Sequence, residues 1–88
     1  MTDQKPIIEF PCDFPIKIFG VNEKAFIADI KNIALKHYSD LKDEAFQTQI
    51  SAQGTYVSIT ITVRAQNQRS LDALYLELSN HPDVKMVL

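Results

Sequence analysis

Hydrophobic and polar positions alternate along residues 55–65 more strictly than anywhere else in the chain. Every second position is apolar: Val57, Ile59, Ile61, Val63 and Ala65. The positions between them are polar or amphipathic: Tyr56, Ser58, Thr60, Thr62 and Arg64. A period of two predicts a strand with one buried face, and the β-branched residues suit a pleated sheet. One face of the sheet should therefore carry the core, and helices from elsewhere in the chain must cover it.

Two other segments carry apolar residues at helical spacing. Residues 23–37 present one stripe: Phe26, Ile27, Ile30, Ile33 and Ala34. Asn22 is a candidate N-cap for this helix. A second stripe follows the i, i+3, i+4, i+7 pattern: Leu71, Leu74, Tyr75 and Leu78. Asn67 or Ser70 can cap the second helix, and Pro82 ends it because proline disfavours a helical residue before it.

Three shorter strands complete the pattern. The first runs over Phe14–Phe19 and ends at Gly20, the second covers roughly Ala45–Ala52, and the last is Val84–Leu88. The dipeptide at 53–54 turns the second strand directly into the long strand, so these two form a hairpin. Gly54 is expected to adopt a positive φ in that turn or to leave no room for a side chain.

The resulting order is strand, helix, strand, strand, helix, strand. Right-handed crossovers interleave these elements into an antiparallel sheet ordered 4-1-3-2 with both helices on one face. This is the α+β split βαβ, or ferredoxin-like, plait. It forms a single domain over residues 14–88, preceded by an extended arm over 1–13 whose prolines disfavour helix and central strand. The alternative is a meander with two loosely attached helices, in which both apolar stripes would have to pack against a smaller area of sheet.

Charge and cysteine content exclude several function classes. The formal net charge is −2, with 9 Lys and Arg against 11 Asp and Glu and no basic block, which disfavours nucleic-acid binding. Cys12 is the single cysteine, so the chain has no internal disulfide and no Cys pair for a metal. No apolar run is long enough to cross a bilayer, and no signal peptide is evident. These features predict a cytoplasmic domain without metal or cofactor.

Candidate catalytic groups are sparse. A nucleophilic Cys12 would need a neighbouring base, and nothing in the sequence brings a histidine near it. His37 falls at the end of the first helical stripe, where packing or carbonyl capping is the simpler interpretation. His81 precedes a proline and is most simply a solvated turn residue. A small enzyme or enzyme subunit that uses Cys12 or His37 is the alternative hypothesis.

RNA binding is the third hypothesis. RNA-binding plaits stack bases on aromatic residues of the first and third strands, and Phe19 and Tyr56 occupy such positions. The segment 54–59 reads Gly-Thr-Tyr-Val-Ser-Ile and has no flanking Lys or Arg, so the basic-Gly-aromatic pattern is missing.

Two places are candidate binding surfaces. The loop Gly20-Val21-Asn22 opens the first helix, whose free N–H groups can bind an anion, and Gly20 would let a ligand approach the backbone. The second place is the uncovered sheet face, predicted to present these side chains: Lys17, Phe19, Ser58, Thr60, Thr62, Arg64, Lys85 and Val87. The last strand is short and apolar, and Lys85 is its only charged residue that would oppose pairing at the sheet edge. These features favour a homodimer with a two-fold axis.

Several stretches together resemble the YbeD-like proteins, a family of small bacterial proteins. They are Phe10-Pro11-Cys12-Asp13-Phe14-Pro15-Ile16-Lys17-Ile18-Phe19-Gly20, residues 51–58, Leu74-Tyr75-Leu76-Glu77-Leu78, and residues 84–88. The family often has Lys and Asn beside the hairpin glycine, where this chain has Gln53 and Thr55. The resemblance implies a βαββαβ plait similar to ACT regulatory domains, which sense small ligands and usually act in pairs. It brings no catalytic residues. Our leading hypothesis is a non-enzymatic regulatory or adaptor domain that pairs with itself and contacts a small ligand or a protein.

Overall fold

The computed structural model describes residues 11–88. Its elements in chain order are β1 (Cys12–Val21), α1 (Lys24–His37), a short 3-10 turn (Asp43–Ala45), β2 (Phe46–Ile50), β3 (Tyr56–Ala65), α2 (Gln68–Ser79) and β4 (Val84–Val87). The four strands form one antiparallel sheet in the order β2-β3-β1-β4. Read from the other edge this is 4-1-3-2, so the predicted ferredoxin-like plait is confirmed.

The first strand is longer than its pattern predicts. β1 pairs with β3 over ten residues, from Cys12 opposite Ala65 to Val21 opposite Tyr56, and it tolerates Pro15 within a central strand. Backbone N–H groups alternate in direction along a strand, so the Pro15 nitrogen lies on the same side as that of Lys17. The Lys17 N–H donates to the Leu88 carbonyl, at the end of the pairing between β1 and β4. Pro15 lies beyond that end, so its missing N–H removes no ladder hydrogen bond. Residues 1–10 of the predicted arm lie outside the described residues.

The core lies between the sheet and the two helices. Seven large aliphatic side chains of the sheet and the helices are completely buried there: Ile16, Ile18, Ile30, Ile59, Ile61, Leu74 and Leu78. They belong to one cluster with further buried residues of both helices, among them Phe26 and Leu71. The predicted register of the long strand is therefore confirmed, because its β-branched stripe faces the helices and its polar stripe does not.

The helix ends differ in how they are capped. At α2 the predicted Asn67 cap is confirmed, since its side chain accepts a hydrogen bond from the Ser70 N–H at 2.9 Å. At α1 the predicted cap is wrong: Glu23 occupies the N-cap position without a side-chain hydrogen bond. Asn22 instead donates its side-chain N–H to the Gly54 carbonyl at 2.9 Å. The tertiary contact with the hairpin thus prevails over the local capping preference.

A bulge in β4 changes which of its side chains face the core. Met86 lies opposite Phe19 and Val84 opposite Gly20, so Lys85 is an extra residue with no partner on β1. Val87 lies opposite the buried Ile18 and packs against the core. The placement of Val87 on the uncovered face is therefore wrong, because one inserted residue reverses the alternation within a short strand.

Candidate functional site

One face of the sheet has no helix on it within the described residues, and we call it the open face. The ladder pairing places the following side chains there: Asp13, Pro15, Lys17, Phe19 and Val21 of β1, Gln47 and Gln49 of β2, Tyr56, Ser58, Thr60, Thr62 and Arg64 of β3, Met86 of β4, and the adjoining Leu88. This set contains the predicted residues of the uncovered face except Lys85, which has no partner at the bulge, and Val87. Met86 and Leu88 were missed, because the bulge that turns them outward leaves no mark in the residue pattern.

Four of these side chains form an apolar patch that is open to solvent: Phe19, Tyr56, Met86 and Leu88. Phe19 and Met86 are cross-strand partners, and Leu88 is held opposite Lys17 by two backbone hydrogen bonds of 2.8 and 3.0 Å. Tyr56 is 50% exposed, Met86 51% and Leu88 62%. These exposures are high for large apolar side chains, and Phe19, which lies between Tyr56 and the other two, is half-buried. A contiguous apolar patch of this kind marks interaction sites more often than scattered exposed residues do.

A shallow depression of about 350 Å³ adjoins the apolar patch. Its lining comes from the centre of the sheet and from the hairpin: Lys17, Phe19, Gln49, Ile50, Ser51, Ala52, Tyr56, Val57 and Ser58. Lys17 is the one charged residue of this lining. The depression therefore combines apolar walls with amide and hydroxyl groups and a single cation.

The charges of the open face are separated along the strands. At one end Arg64 and its cross-strand partner Asp13 form an exposed ion pair of 3.4 Å. Lys17 lies four residues further along β1, about 13 Å away at the usual rise per residue. Among the described residues no carboxylate lies within ion-pair distance of Lys17.

The Gly20-Val21-Asn22 loop lies against the β2–β3 hairpin. The Asn22 N–H donates to the Thr55 carbonyl at 3.0 Å, in addition to the side-chain bond to Gly54. Gly20 is buried, and a β-carbon built there would meet a ring carbon of Phe26 at 2.6 Å and the Asp83 carbonyl oxygen at 2.8 Å. Close packing therefore explains why position 20 is a glycine. That the loop binds a ligand stays a prediction.

His37 joins the two helices. Its Nε2 atom lies 2.8 Å from one carboxylate oxygen of Glu77, and the Lys36 ammonium donates to the other oxygen. The hydrogen bond from Lys36, followed by that from His37, lowers the pKa of Glu77 below its ordinary value. Both contacts favour the ionised carboxylate. This arrangement is an ion-pair network between helices, and His37 points to no nucleophile among the contacts described.

His81 is not the solvated turn residue that the sequence indicates. Its side chain is only 12% exposed, because its ring packs edge-on against Phe26 with centroids 5.3 Å apart. Nδ1 accepts from the Asp83 N–H at 3.1 Å, which leaves Nε2 to donate to Asp29 at 3.0 Å. His81 therefore fastens the α2–β4 loop to α1.

Other candidate chemistry is not assembled in the described part of the chain. Cys12 is half-buried at the start of β1, and no described hydrogen bond joins it to either histidine. Within residues 11–88 there is no group of three His, Cys, Asp or Glu side chains that could hold a metal ion. Nor does any helix in this range have the length and apolar character that a membrane span requires.

Comparison with known proteins shows where the chain belongs. UPF0250 protein NE1487 of Nitrosomonas europaea is 39% identical over 88 residues, which is all of both chains. A UPF0250 protein of Chromobacterium violaceum is 39% identical over 89 residues, again all of both chains. The solution structure of protein HP0495 from H. pylori has a TM-score of 0.73 and 15% identity, covering 97% of this chain and 89% of that one. This likeness supports the fold alone.

The family evidence covers nearly the whole chain. The family described as "Protein of unknown function (DUF493)" matches residues 5–88, which agrees with the full-length likeness to the UPF0250 proteins. The resemblance to the YbeD-like proteins is thereby confirmed, and the chain belongs to the DUF493 family of small bacterial proteins.

Proposed function

We propose that this chain is a non-enzymatic regulatory or adaptor domain that acts by binding another protein on its open face. The observation that carries the proposal is the apolar patch. Phe19, Tyr56, Met86 and Leu88 come together from three elements, and covering them would remove apolar surface from water, which favours association.

The titratable groups support a role without catalysis. His81 uses both ring nitrogens in structural hydrogen bonds, and Nε2 of His37 is engaged by Glu77 on the facing helix. A general base needs a free nitrogen within reach of the proton that it takes. A nucleophilic cysteine needs a neighbouring base, and no described hydrogen bond joins Cys12 to either histidine.

The experiment uses matched variants of two exposed apolar residues. Met86→Glu places a charge in the apolar patch, whereas Leu76→Glu places the same charge on α2, where Leu76 is 65% exposed. The immobilised wild-type chain and both variants are incubated with lysate of the source organism, and retained proteins are quantified. We expect at least one protein that the wild type and Leu76→Glu retain and Met86→Glu loses. Equal retention by all three chains would contradict the proposal, provided that circular dichroism shows all three folded.

Self-pairing is a related proposal about the partner. Within residues 11–88, β4 is an edge strand whose outer side pairs with no other strand, and Met86 and Leu88 lie beside that edge. A second copy paired there would continue the sheet and leave most of the open face accessible. Light scattering at micromolar concentration should give a dimer mass for the wild type and a monomer mass for Met86→Glu. A monomer mass for the wild type would exclude the dimer.

A further inference from the structure

The loop between α2 and β4 is closed by the ring of His81. Nδ1 accepts a hydrogen bond from the Asp83 N–H at 3.1 Å, and Nε2 lies 3.0 Å from a carboxylate oxygen of Asp29 on α1. The His81 carbonyl accepts from the N–H of Val84, the first residue of β4, at 3.1 Å. One residue therefore joins the loop to α1 and to the start of β4.

The closed loop requires the neutral form of this ring. A ring nitrogen that accepts a hydrogen bond carries no proton, so the bond from Asp83 places the single proton of the neutral ring on Nε2. A second proton would have to lie on Nδ1, where it would face the Asp83 N–H as donor against donor. The hydrogen bond would be lost, and a partly buried N–H would be left without its partner.

The charged groups around the ring favour its protonated form instead. Among the described residues Asp29 is the charged side chain within ion-pair distance of His81, and Asp83 brings a second carboxylate into the same loop. The other described contacts of His81, with the Phe26 ring and the Leu78 carbonyl, are uncharged. A carboxylate near an imidazole stabilises the imidazolium. The carboxylates therefore favour the protonation that the Asp83 N–H opposes.

The loop is packed against the end of a short and irregular strand pairing. A β-carbon at Gly20 would lie 2.8 Å from the Asp83 carbonyl oxygen, and Gly20 is the ladder partner of Val84. β4 has only four residues, and its bulge lies at Lys85. A rearrangement at Asp83 therefore acts on a strand that has few ladder contacts to resist it.

We propose that His81 is a pH-sensitive latch, in which protonation of the ring opens the α2–β4 loop and loosens the first residues of β4 from β1. Histidine is the side chain whose charge ordinarily changes between about pH 5 and pH 8. Met86 follows in the same strand, so the same proton would change one end of the apolar patch. The latch needs no partner on that patch, and its test is independent of the proposed function.

Amide hydrogen exchange, followed by NMR from about pH 7.5 to about pH 5.5, tests the latch. Each rate is divided by the intrinsic rate at the same pH, so that only structural opening is compared. A solvated histidine has a pKa of about 6.5, so the protection of the Asp83 N–H should fall about tenfold over this range. The Val84 N–H should follow it. The amide of Ile59, in the middle of β3, should keep its protection because the core stays closed.

The two histidines of the chain give a matched pair of variants. His81→Asn supplies an amide oxygen that can accept from the N–H two residues later but is not protonated in this range, so protection at Asp83 should no longer depend on pH. His37→Asn removes the histidine that contacts Glu77 and should retain the full change.

Constant protection of Asp83 in the wild type would overturn the latch. An equal pH dependence in His81→Asn, or its loss in His37→Asn, would assign the change to another group and would also overturn it. If circular dichroism shows that His81→Asn does not fold, the carbon chemical shift of the His81 ring in the wild type decides. A change in protection that follows this signal supports the latch, and one that does not follow it overturns the latch.

Discussion

The two faces of the sheet are built from the same strands and obey different constraints. On the helix-covered face Ile59 and Ile61 of β3 are completely buried, and neighbouring side chains determine their size and shape. On the open face Thr60 and Thr62 alternate with them and meet water or polar neighbours. Substitutions on the covered face should therefore change stability, whereas substitutions on the open face should change binding.

The difference teaches where function can be sought in so small a domain. Most of the apolar surface available to the chain is used to build one core, which a domain of this size needs for its stability. Apolar residues that remain outside that core, such as Met86 and Leu88, contribute little to folding. Their clustering beside Phe19 on the open face is thus better explained by a partner than by the fold.

The largest expected effect comes from deleting core volume. Ile61→Ala removes atoms from a completely buried site and should lower the free energy of unfolding by about 2–5 kcal/mol, through lost burial and the cavity that remains. Its neighbour Thr62 is exposed on the open face, so Thr62→Ala should cost less than about 1 kcal/mol. Urea unfolding of both variants measures the difference. Similar losses in both would contradict the division between the faces.

The two glycines give the next test, because they are required for different reasons. Gly20 leaves no room for a β-carbon between the Phe26 ring and the Asp83 carbonyl. The ring can move, but the carbonyl belongs to the backbone, so Gly20→Ala should cost about 1–3 kcal/mol. Gly54 has φ of +77° with open space around it. Gly54→Val should cost about 1–2 kcal/mol, since the left-handed region is unfavourable for side chains.

Asparagine variants at both positions separate the two causes, which are close packing at Gly20 and the positive φ at Gly54. It tolerates a positive φ better than most residues, so Gly54→Asn should recover most of the stability that Gly54→Val loses. At position 20 a longer side chain meets the same obstruction, so Gly20→Asn should be less stable than Gly20→Ala. Thermal unfolding of the four variants measures both comparisons. If Gly20→Asn were as stable as the wild type, packing would not be the reason for Gly20.

Residues 55–65 show why most of the fold could be predicted from the sequence. Their alternation extends over enough positions to determine both the register and the buried face, and the helical stripes then leave one compact arrangement. The prediction of Val87 was wrong because β4 is short and a single bulge at Lys85 reverses its alternation. No glycine or proline marks that bulge, so the sequence contained no local signal for it.

Contacts between distant residues explain the remaining differences. Asn22 has the local context of an N-cap, but the Gly54 carbonyl, 32 positions later, takes its side-chain N–H. His81 precedes a proline and has the context of a solvated turn, yet Phe26 and Asp29 of α1 cover it. The apolar patch was found only in part for the same reason. Its members come from separate elements, and strand pairing alone brings them together.

The smallest expected effect concerns the helices that make the covered face, which are joined at Glu77. Hydrogen bonds from Lys36 and then His37 hold the pKa of this carboxyl below its ordinary value of 4.5. A depressed pKa in the folded state stabilises the fold above the unfolded-state value, and the contribution is lost as the pH falls through the folded-state pKa. Glu77→Gln keeps the shape and removes the charge. Its melting temperature should therefore lie below that of the wild type at neutral pH, and the gap should narrow in acid below about pH 4.5. Asp72→Asn on the same helix is the control, because the hydrogen-bond partner of Asp72 is the uncharged Gln68. A gap that narrows equally in Asp72→Asn would show that net charge, rather than the contact between the helices, causes the pH dependence.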